Sequence, residues 1–331
     1  MLVLQVLLTT LLALGTALGN NLLSDRAADF RKEFTDKHGI EQAYRTSQRR
    51  VIVCDYDGTL VPFVDDPEHA VPPPQLLKAL STLAASQRNT VWLVSGRDQR
   101  FLSKHFGTIQ GLGLSAEHGA FIKNPRQNWM SLAEQYDMTV WKQGAKRLME
   151  KWTKQTPGTR VEEKQYSLSW HYREAKLSAE DASLAAKNLG ADLQAALKAN
   201  HWDMVVVQGN KVVEVKSRFL DKGQIVTDIL QRSYEGQLHG LNAGKKAKVD
   251  FVFVVGDDTS DEHMFKAVAT FPGLSGVYTM WVQHADKPDK RTEAMWKIPP
   301  PAKGNMDWNT PPTLLRMFSA LTTIFNKKNS K

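Results

Sequence analysis

Cysteine is nearly absent from this chain: Cys54 is the only one in 331 residues. That excludes an internal disulfide framework and any zinc site built from clustered cysteines. Cys54 itself lies inside an apolar run, where a thiol behaves as a small buried hydrophobe. Acceptor sites for N-glycosylation are missing as well, since no Asn-X-Ser/Thr triplet occurs. Long hydrophobic runs are scarce. The leucine-rich stretch 1–19 (MLVLQVLLTTLLALGTALG) ends in small residues that suit a signal-peptide cleavage point, but no Lys or Arg precedes it. With Gln5, three threonines and two glycines it is marginal as a membrane span. We therefore expect a cytoplasmic protein without a stable membrane span, with secretion as the alternative, and set residues 1–22 apart from the rest.

The formal net charge is +8 and the pI about 9.4. Such a balance fits either nucleic acid or an anionic small substrate. The basic residues are scattered, for example Lys142, Lys146 and Arg147, then Lys245, Lys246 and Lys248. No recognisable nucleic-acid-binding motif accompanies them, so we expect no nucleic-acid partner. A hydrophobic content of 42% allows one large core or two modest ones. There is no internal repeat.

What is present is an alternating pattern. Residues 51–54 are β-branched and apolar and predict a buried strand, which Gly58 and Pro62 terminate. After a polar, Pro-rich stretch, 75–85 predicts a helix with Leu76, Leu77, Leu80 and Leu83 on one face. Residues 90–94 predict a second strand, 101–106 part of a helix and 112–116 a third strand. From about residue 124 the rhythm changes. Helical segments at 141–152 and 179–199 mingle with strand candidates at 158–163, 167–172, 203–208 and 211–215, the last two joined across Gly209-Asn210. Alternation then resumes with a helix at 223–232 and a buried strand at 250–255. The expected fold class is α/β: a doubly wound, mostly parallel sheet formed by 23–123 and 216–331, interrupted by an inserted α+β cap at 124–215.

Four short elements fall at strand ends or at a helix start. They are Asp55-Tyr56-Asp57-Gly58-Thr59, Ser95-Gly96-Arg97, Asp221-Lys222-Gly223 and Gly256-Asp257-Asp258-Thr259-Ser260-Asp261-Glu262. Singly, each reads as a turn, loop punctuation, a solvated helix end or a helix cap by Asp258 or Ser260. In this order on β/α elements they are far more specific, because ligands of open α/β sheets bind beyond the carboxyl ends of strands. Two acids two residues apart can there divide the work of nucleophile or metal ligand and of general acid–base.

Together the four elements resemble those of the haloacid-dehalogenase-like phosphohydrolases. Further motifs are LSAEHG at 114–119, Glu162-Glu163-Lys164, Ser169-Trp170-His171-Tyr172-Arg173, Val213-Glu214-Val215-Lys216 and GDDTSDEHMF. These resemble the trehalose-6-phosphate phosphatase family of fungal type. The chain departs from the family pattern at Ser260, where the family has Thr, and at Asp221 and Gln224 around the retained lysine. The resemblance implies Asp55 as nucleophile forming an aspartyl-phosphate, Asp57 as general acid and base, and Ser95, Gly96, Arg97 and Lys222 as phosphate binders. It implies Mg²⁺ between Asp55, the Asp57 backbone carbonyl and Asp257, with Asp258 and Asp261 behind them. It further implies trehalose 6-phosphate as substrate, with Glu117, Glu162, Lys164, Arg173 and Glu214 as sugar contacts, and a trehalose-phosphate synthase as protein partner. His118 and His171 have no second histidine at ligand spacing and are not expected to bind metal. Glu117-His118-Gly119 is expected to shape the core–cap hinge or touch sugar, and Trp170 to be core. Two rival readings are a phosphatase of other sugar phosphates (sucrose-phosphate or a hexose phosphate) and a non-catalytic regulatory subunit. Retention of Asp55, Asp57, Lys222 and Asp257 speaks against the latter.

Overall fold

A computed structural model describes residues 37–64, 67–134, 139–209, 211–238, 244–284 and 291–298. The apolar segment 1–22 and the C-terminal part of the expected core lie outside the described residues. In chain order the elements are α1 (Lys37–Thr46), β1 (Arg50–Cys54), α2 (Pro74–Ala85), β2 (Asn89–Val94), α3 (Gln99–Phe106), β3 (Leu112–Ala116), β4 (Phe121–Lys123) and β5 (Trp129–Ser131). Then follow α4 (Thr139–Gln155), β6 (Arg160–Glu163), β7 (Ser167–His171), α5 (Ala179–Ala199), β8 (Met204–Gly209) and β9 (Val212–Ser217). The described residues close with α6 (Lys222–Tyr234), β10 (Phe251–Gly256), α7 (Thr259–Thr270), β11 (Val277–Val282) and β12 (Trp296–Ile298).

The larger sheet runs β12-β11-β10-β1-β2-β3-β4-β5, parallel from β12 to β3 and antiparallel across β4 and β5. Strand β1 is buried along its whole length, and its two faces feed different cores. Ile52 and Cys54 join Leu76, Leu80, Phe101 and Phe106 of α2 and α3. Val51 and Val53 join Val226, Ile229, Met264 and Phe265 of α6 and α7. Helices on both faces, with β-branched strands between, are the doubly wound arrangement that the alternation predicts. From β1 the chain winds one way to β2 and β3, and β10 lies on the other side. The crevice between the ends of β1 and β10 is thus a topological switch point.

The smaller sheet is antiparallel, in the order β6-β7-β9-β8. Side-chain direction alternates along each strand. Leu168 and Trp170 of β7 and Val213 and Val215 of β9 pack on Trp141, Met149, Leu189 and Leu193 of α4 and α5. Trp170 is fully buried there, a core residue as the sequence predicts. The intervening residues Ser169, His171 and Glu214 point to the opposite face, which α4 and α5 leave open. The expected boundaries of this unit shift. Position 124 falls within the β4–β5 extension of the large sheet, and position 215 falls within β9. Among the described residues no helix is long and apolar enough to cross a membrane.

Candidate active site

The floor of the site forms where β1 and β10 end side by side. Asp55 follows β1 directly, and its N–H donates to the Val255 carbonyl of β10 at 3.0 Å. Gly58, at φ +80°, turns the chain back so that its N–H reaches the Val61 carbonyl at 2.8 Å. A Cβ at Gly58 would come within 2.5 Å of Asp257 Oδ2, so this position must stay bare. The turn places the Thr59 hydroxyl between Asp55 Oδ2 at 3.1 Å and Asp257 Oδ1 at 2.9 Å. On the other side Lys222, the first residue of α6, sends Nζ to Asp55 Oδ1 at 2.6 Å and Asp261 Oδ1 at 2.8 Å. Asp221 caps that helix through the N–H groups of Gly223 and Gln224. Asp258 and Asp261 form a capping box at the start of α7, as the cap reading of this acidic cluster predicts. Asp261 Oδ2 also accepts the N–H groups of Asp257 and Asp258, each at 2.9 Å. The helix cap and the lysine anchor are therefore one side chain.

Three carboxylates and one ammonium are buried together. Burial opposes the charge on Lys222, but Asp261 and Asp55 outweigh it and raise its pKa, so the ammonium stays charged. Burial, then the Asp261 carboxylate, pushes Asp55 well above the usual carboxylate range. Asp257 is raised by burial and by Asp261 and Asp258. Asp55, Asp257 and Asp261 each present an oxygen within 4.8 Å of the others. Three buried carboxylates beside one lysine leave negative charge uncompensated. The donors are all oxygen, so the cluster fits a hard divalent cation. Asp261 adjoins the cluster with both oxygens engaged, Oδ1 by Lys222 and Oδ2 by the amides of Asp257 and Asp258. Two further contacts went unread in the sequence. Thr59 was masked by its role in an ordinary turn. His284, whose Nε2 lies 2.9 Å from Asp257 Oδ2, sits in a loop after β11 with no motif around it.

Above the floor is a cavity of about 560 Å³. Its near wall is Ser95-Gly96-Arg97 after β2. Arg97 clasps the Asp57 carboxylate, with Nε to Oδ2 at 2.7 Å, and lies over the Phe101 ring at 4.2 Å. Its roof is the open face of the smaller sheet. Register pairs Glu162 with Ser169 and Ser169 with Glu214, so the three form one row across β6, β7 and β9. At two strand spacings, the carboxylates of that row are anchored about 10 Å apart. Burial works against the Glu162 carboxylate, but the hydrogen bond with His171 and the charge of Lys164 lower its pKa to about 2. Burial likewise opposes the Glu214 charge, which His118, Lys216 and Lys164 stabilise. Lys164 crosses from roof to wall, donating Nζ to the Gly96 carbonyl at 3.0 Å.

Of the residues singled out from sequence, Asp55, Asp57, Ser95, Gly96, Arg97, Glu162, Lys164, Arg173, Glu214, Lys222 and Asp258 all border the cavity. Asp257 and Asp261 lie in the floor beneath it. Of the two roles expected of Glu117, its contacts fit the core–cap hinge and not a sugar contact. Its carboxylate is absent from the cavity wall and accepts the backbone N–H groups of Gln165 at 3.2 Å and Tyr166 at 2.8 Å. Two amides of the inserted unit engage one oxygen each, so it ties that unit to the core. His118, expected at the hinge or on sugar, lines the cavity, and so do His171, Arg160 and Lys211, to which no role there was assigned. Strand alternation alone would have put Arg160 and His171 on the open face.

The sequence profile described as trehalose-phosphatase matches residues 53–301. The chain belongs to the trehalose-phosphatase family. A trehalose-phosphatase of Schizosaccharomyces pombe is 38% identical over 253 residues, covering 76% of this chain and 29% of the relative. A bifunctional trehalose-6-phosphate synthase/phosphatase of Thermoproteus tenax is 37% identical over 228 residues, 69% of this chain and 28% of the relative. The chain therefore spans under a third of the length of these curated relatives. The solved C-terminal domain of a C. albicans trehalose-6-phosphate phosphatase superimposes with a TM-score of 0.74 at 31% identity, covering 88% of this chain and 98% of that one. In this member of the family Asp55, Asp57 and Lys222 on one side and the Glu162–Ser169–Glu214 row on the other face one cavity.

Proposed function

We propose that this protein hydrolyses trehalose 6-phosphate to trehalose and inorganic phosphate through an aspartyl-phosphate on Asp55. The observation that carries the reading is the opposition of two unlike surfaces: carboxylates, a lysine and an arginine below, and a row of hydroxyl-accepting carboxylates above. A phosphate needs dispersed positive charge and an in-line nucleophile, whereas a sugar needs paired hydrogen-bond acceptors and donors. Asp55, held at Oδ1 by Lys222, attacks phosphorus. The bond to the sugar oxygen breaks, and Asp57 supplies the proton that oxygen takes. Asp57 then accepts a proton from a water that attacks the acyl phosphate, freeing phosphate and restoring Asp55. Ser95, Gly96, Arg97 and Lys222 bind the phosphate oxygens, and Arg97 exchanges its contact with Asp57 for them. Asp55, Asp257 and the Asp57 carbonyl, with Asp261 adjoining, would hold Mg²⁺, which would supply the positive charge that lets a carboxylate approach a phosphate dianion. Glu162, Lys164, Arg173 and Glu214 receive the distal glucose.

Purified protein should release phosphate from trehalose 6-phosphate in Mg²⁺, and Asp55→Asn should abolish release. Turnover surviving in that variant would remove Asp55 as nucleophile. A panel including glucose 6-phosphate and sucrose-phosphate checks the substrate, since equal rates on all three would contradict a disaccharide-selective roof. A trehalose-phosphate synthase is the proposed partner, supported by relatives that unite both activities in name. Failure of a synthase from the native cell to co-purify would count against it. Work in the cytoplasm is supported by one buried cysteine and no glycosylation triplet. Recovery from the culture medium would overturn it.

A further inference from the structure

Both roof carboxylates are gripped by an imidazole. His171 Nε2 lies 2.7 Å from Glu162 Oε2, and His118 Nε2 lies 3.3 Å from Glu214 Oε2. We propose that His118 and His171 are positioning residues that fix Glu162 and Glu214 for the hydroxyls of a sugar phosphate, an assignment that rests on the sugar-phosphate reading above.

The two histidines come from unrelated places. His171 ends β7, opposite Arg160 of β6, and reaches diagonally to Glu162. His118 belongs to the core, in the turn after β3, and meets Glu214 across the junction with the inserted unit. That turn is costly. Glu117 at φ 47° and His118 at φ 55° both occupy the left-handed region that non-glycine residues avoid. It is held by Glu117 N–H to the Arg97 carbonyl at 2.9 Å, His118 N–H to the Ser95 carbonyl at 3.0 Å and the grip of the Glu117 carboxylate on Gln165 and Tyr166. A Cβ at residue 96 would come 2.7 Å from His118 Nε2, so Gly96 leaves the room the ring occupies. Strain, a bare glycine and a doubly bonded anchor all serve to aim one imidazole into the cavity.

The protonation pattern follows from the partners. A carboxylate only accepts, so Nε2 of His118 carries the hydrogen. Nδ1 is buried with no hydrogen-bond partner, as a lone pair rather than an N–H. Burial, then the charge of Lys216, lowers the His118 pKa to about 4, which keeps the ring neutral at physiological pH. One imidazole hydrogen bond holds one oxygen, while a carboxylate has about four lone-pair sites, so acceptor capacity remains for hydroxyls. A glutamate without that bond must be ordered by the sugar itself, at the expense of affinity.

The test measures kcat and KM of wild type, His118→Ala and His171→Ala on trehalose 6-phosphate and on p-nitrophenyl phosphate, which carries no sugar. In each variant KM for trehalose 6-phosphate should rise about tenfold, with a smaller fall in kcat, as expected for a lost hydrogen bond to a charged group. The preference for trehalose 6-phosphate over p-nitrophenyl phosphate should fall by a like factor. His118→Gln, whose amide reaches the Nε2 position, should restore most of the preference, and the shorter His118→Asn should not. That pair also decides the matter if the alanine variant fails to fold. An unchanged preference in both alanine variants, or equal rescue by Gln and Asn, overturns the assignment. Wild-type protein that turns over no sugar phosphate defeats the underlying reading instead, so the two failures are told apart.

Discussion

Replacing Lys222 by Met isolates the electrostatics of the floor. The stem keeps its volume, and the charge goes. The Lys222 side chain is 3% exposed, with carboxylate oxygens at 2.6 and 2.8 Å. Without it, Asp55, Asp257 and Asp261 remain within 4.8 Å of one another, having lost the cation that binds two of them. Two unit charges 4.8 Å apart repel by about 3.5 kcal/mol at an effective dielectric constant of 20. Breaking a buried ion pair by removing one partner costs about 3–5 kcal/mol. Both routes put the loss at about 3–5 kcal/mol, a large share of a domain's roughly 5–15 kcal/mol. Protonation offers the relief. In the variant the folded pKa of Asp55 lies further above its unfolded value, so the folded state holds the extra proton and gains stability as pH falls. The deficit should therefore be full near pH 7.5 and shrink by about 1.4 kcal/mol per pH unit for each carboxyl that titrates. Urea unfolding followed by tryptophan fluorescence at pH 7.5 and 5.5, in EDTA, measures it. A loss below about 1 kcal/mol at pH 7.5, or the same loss at both pH values, refutes the reasoning.

Three other outcomes are expected. Divalent ion at about a hundred times its Kd should stabilise the wild-type protein by about 2.7 kcal/mol, and EDTA should reverse this in a thermal melt. A Tm indifferent to both would contradict a cation at Asp55, Asp257 and Asp261. Gly58→Ala should cost about 1–3 kcal/mol from its φ of +80° and weaken ion binding in calorimetry, because the new methyl meets Asp257 Oδ2. Ion affinity equal to wild type would show that the turn relaxes away from Asp257. The third outcome concerns His118, which Glu214, Lys216 and Lys222 face and whose pKa is lowered to about 4 from 6.5. Between those values the unfolded chain binds a proton that the folded ring refuses, so stability is lost as pH falls from 6.5 toward 4, by up to about 3 kcal/mol. His118→Gln should flatten that part of the stability–pH curve, and an unchanged slope would assign it elsewhere.

Long periodic elements were legible, and short ones were not. β1, β2, β3 and β10 are mostly apolar and buried throughout, and α5 shows its register over 21 residues. Strands β4, β5 and β12 have three residues each, too few for any period to emerge, and the expected boundary at 124 missed the large sheet's antiparallel extension for that reason. The acids beyond β1 and β10 were readable because strand ends in an open α/β sheet are where ligands bind. For Glu117 the motif left two roles open, the core–cap hinge and a sugar contact, because it lies beside the site. Only the left-handed turn shows that its carboxylate points to the amides of Gln165 and Tyr166.

The sequence by itself determined the chemistry available: two acids after a buried strand, a lysine opening a helix, an acidic helix cap and an alternating cap strand bearing Glu214. These are local patterns, dictated by backbone period and capping over a few residues. Tertiary structure decided what meets what. Pairing of β1 with β10 brings Thr59 and Asp257, 198 positions apart, to one hydrogen bond. Strand register, which no single strand encodes, aligns Glu162, Ser169 and Glu214 in a row. The junction of the two sheets delivers His118 to Glu214 and Lys164 to Gly96. Distances of a few ångströms between remote residues follow from the closing of the whole chain, and so the reaction's parts lay in the sequence while their contacts lay in the fold.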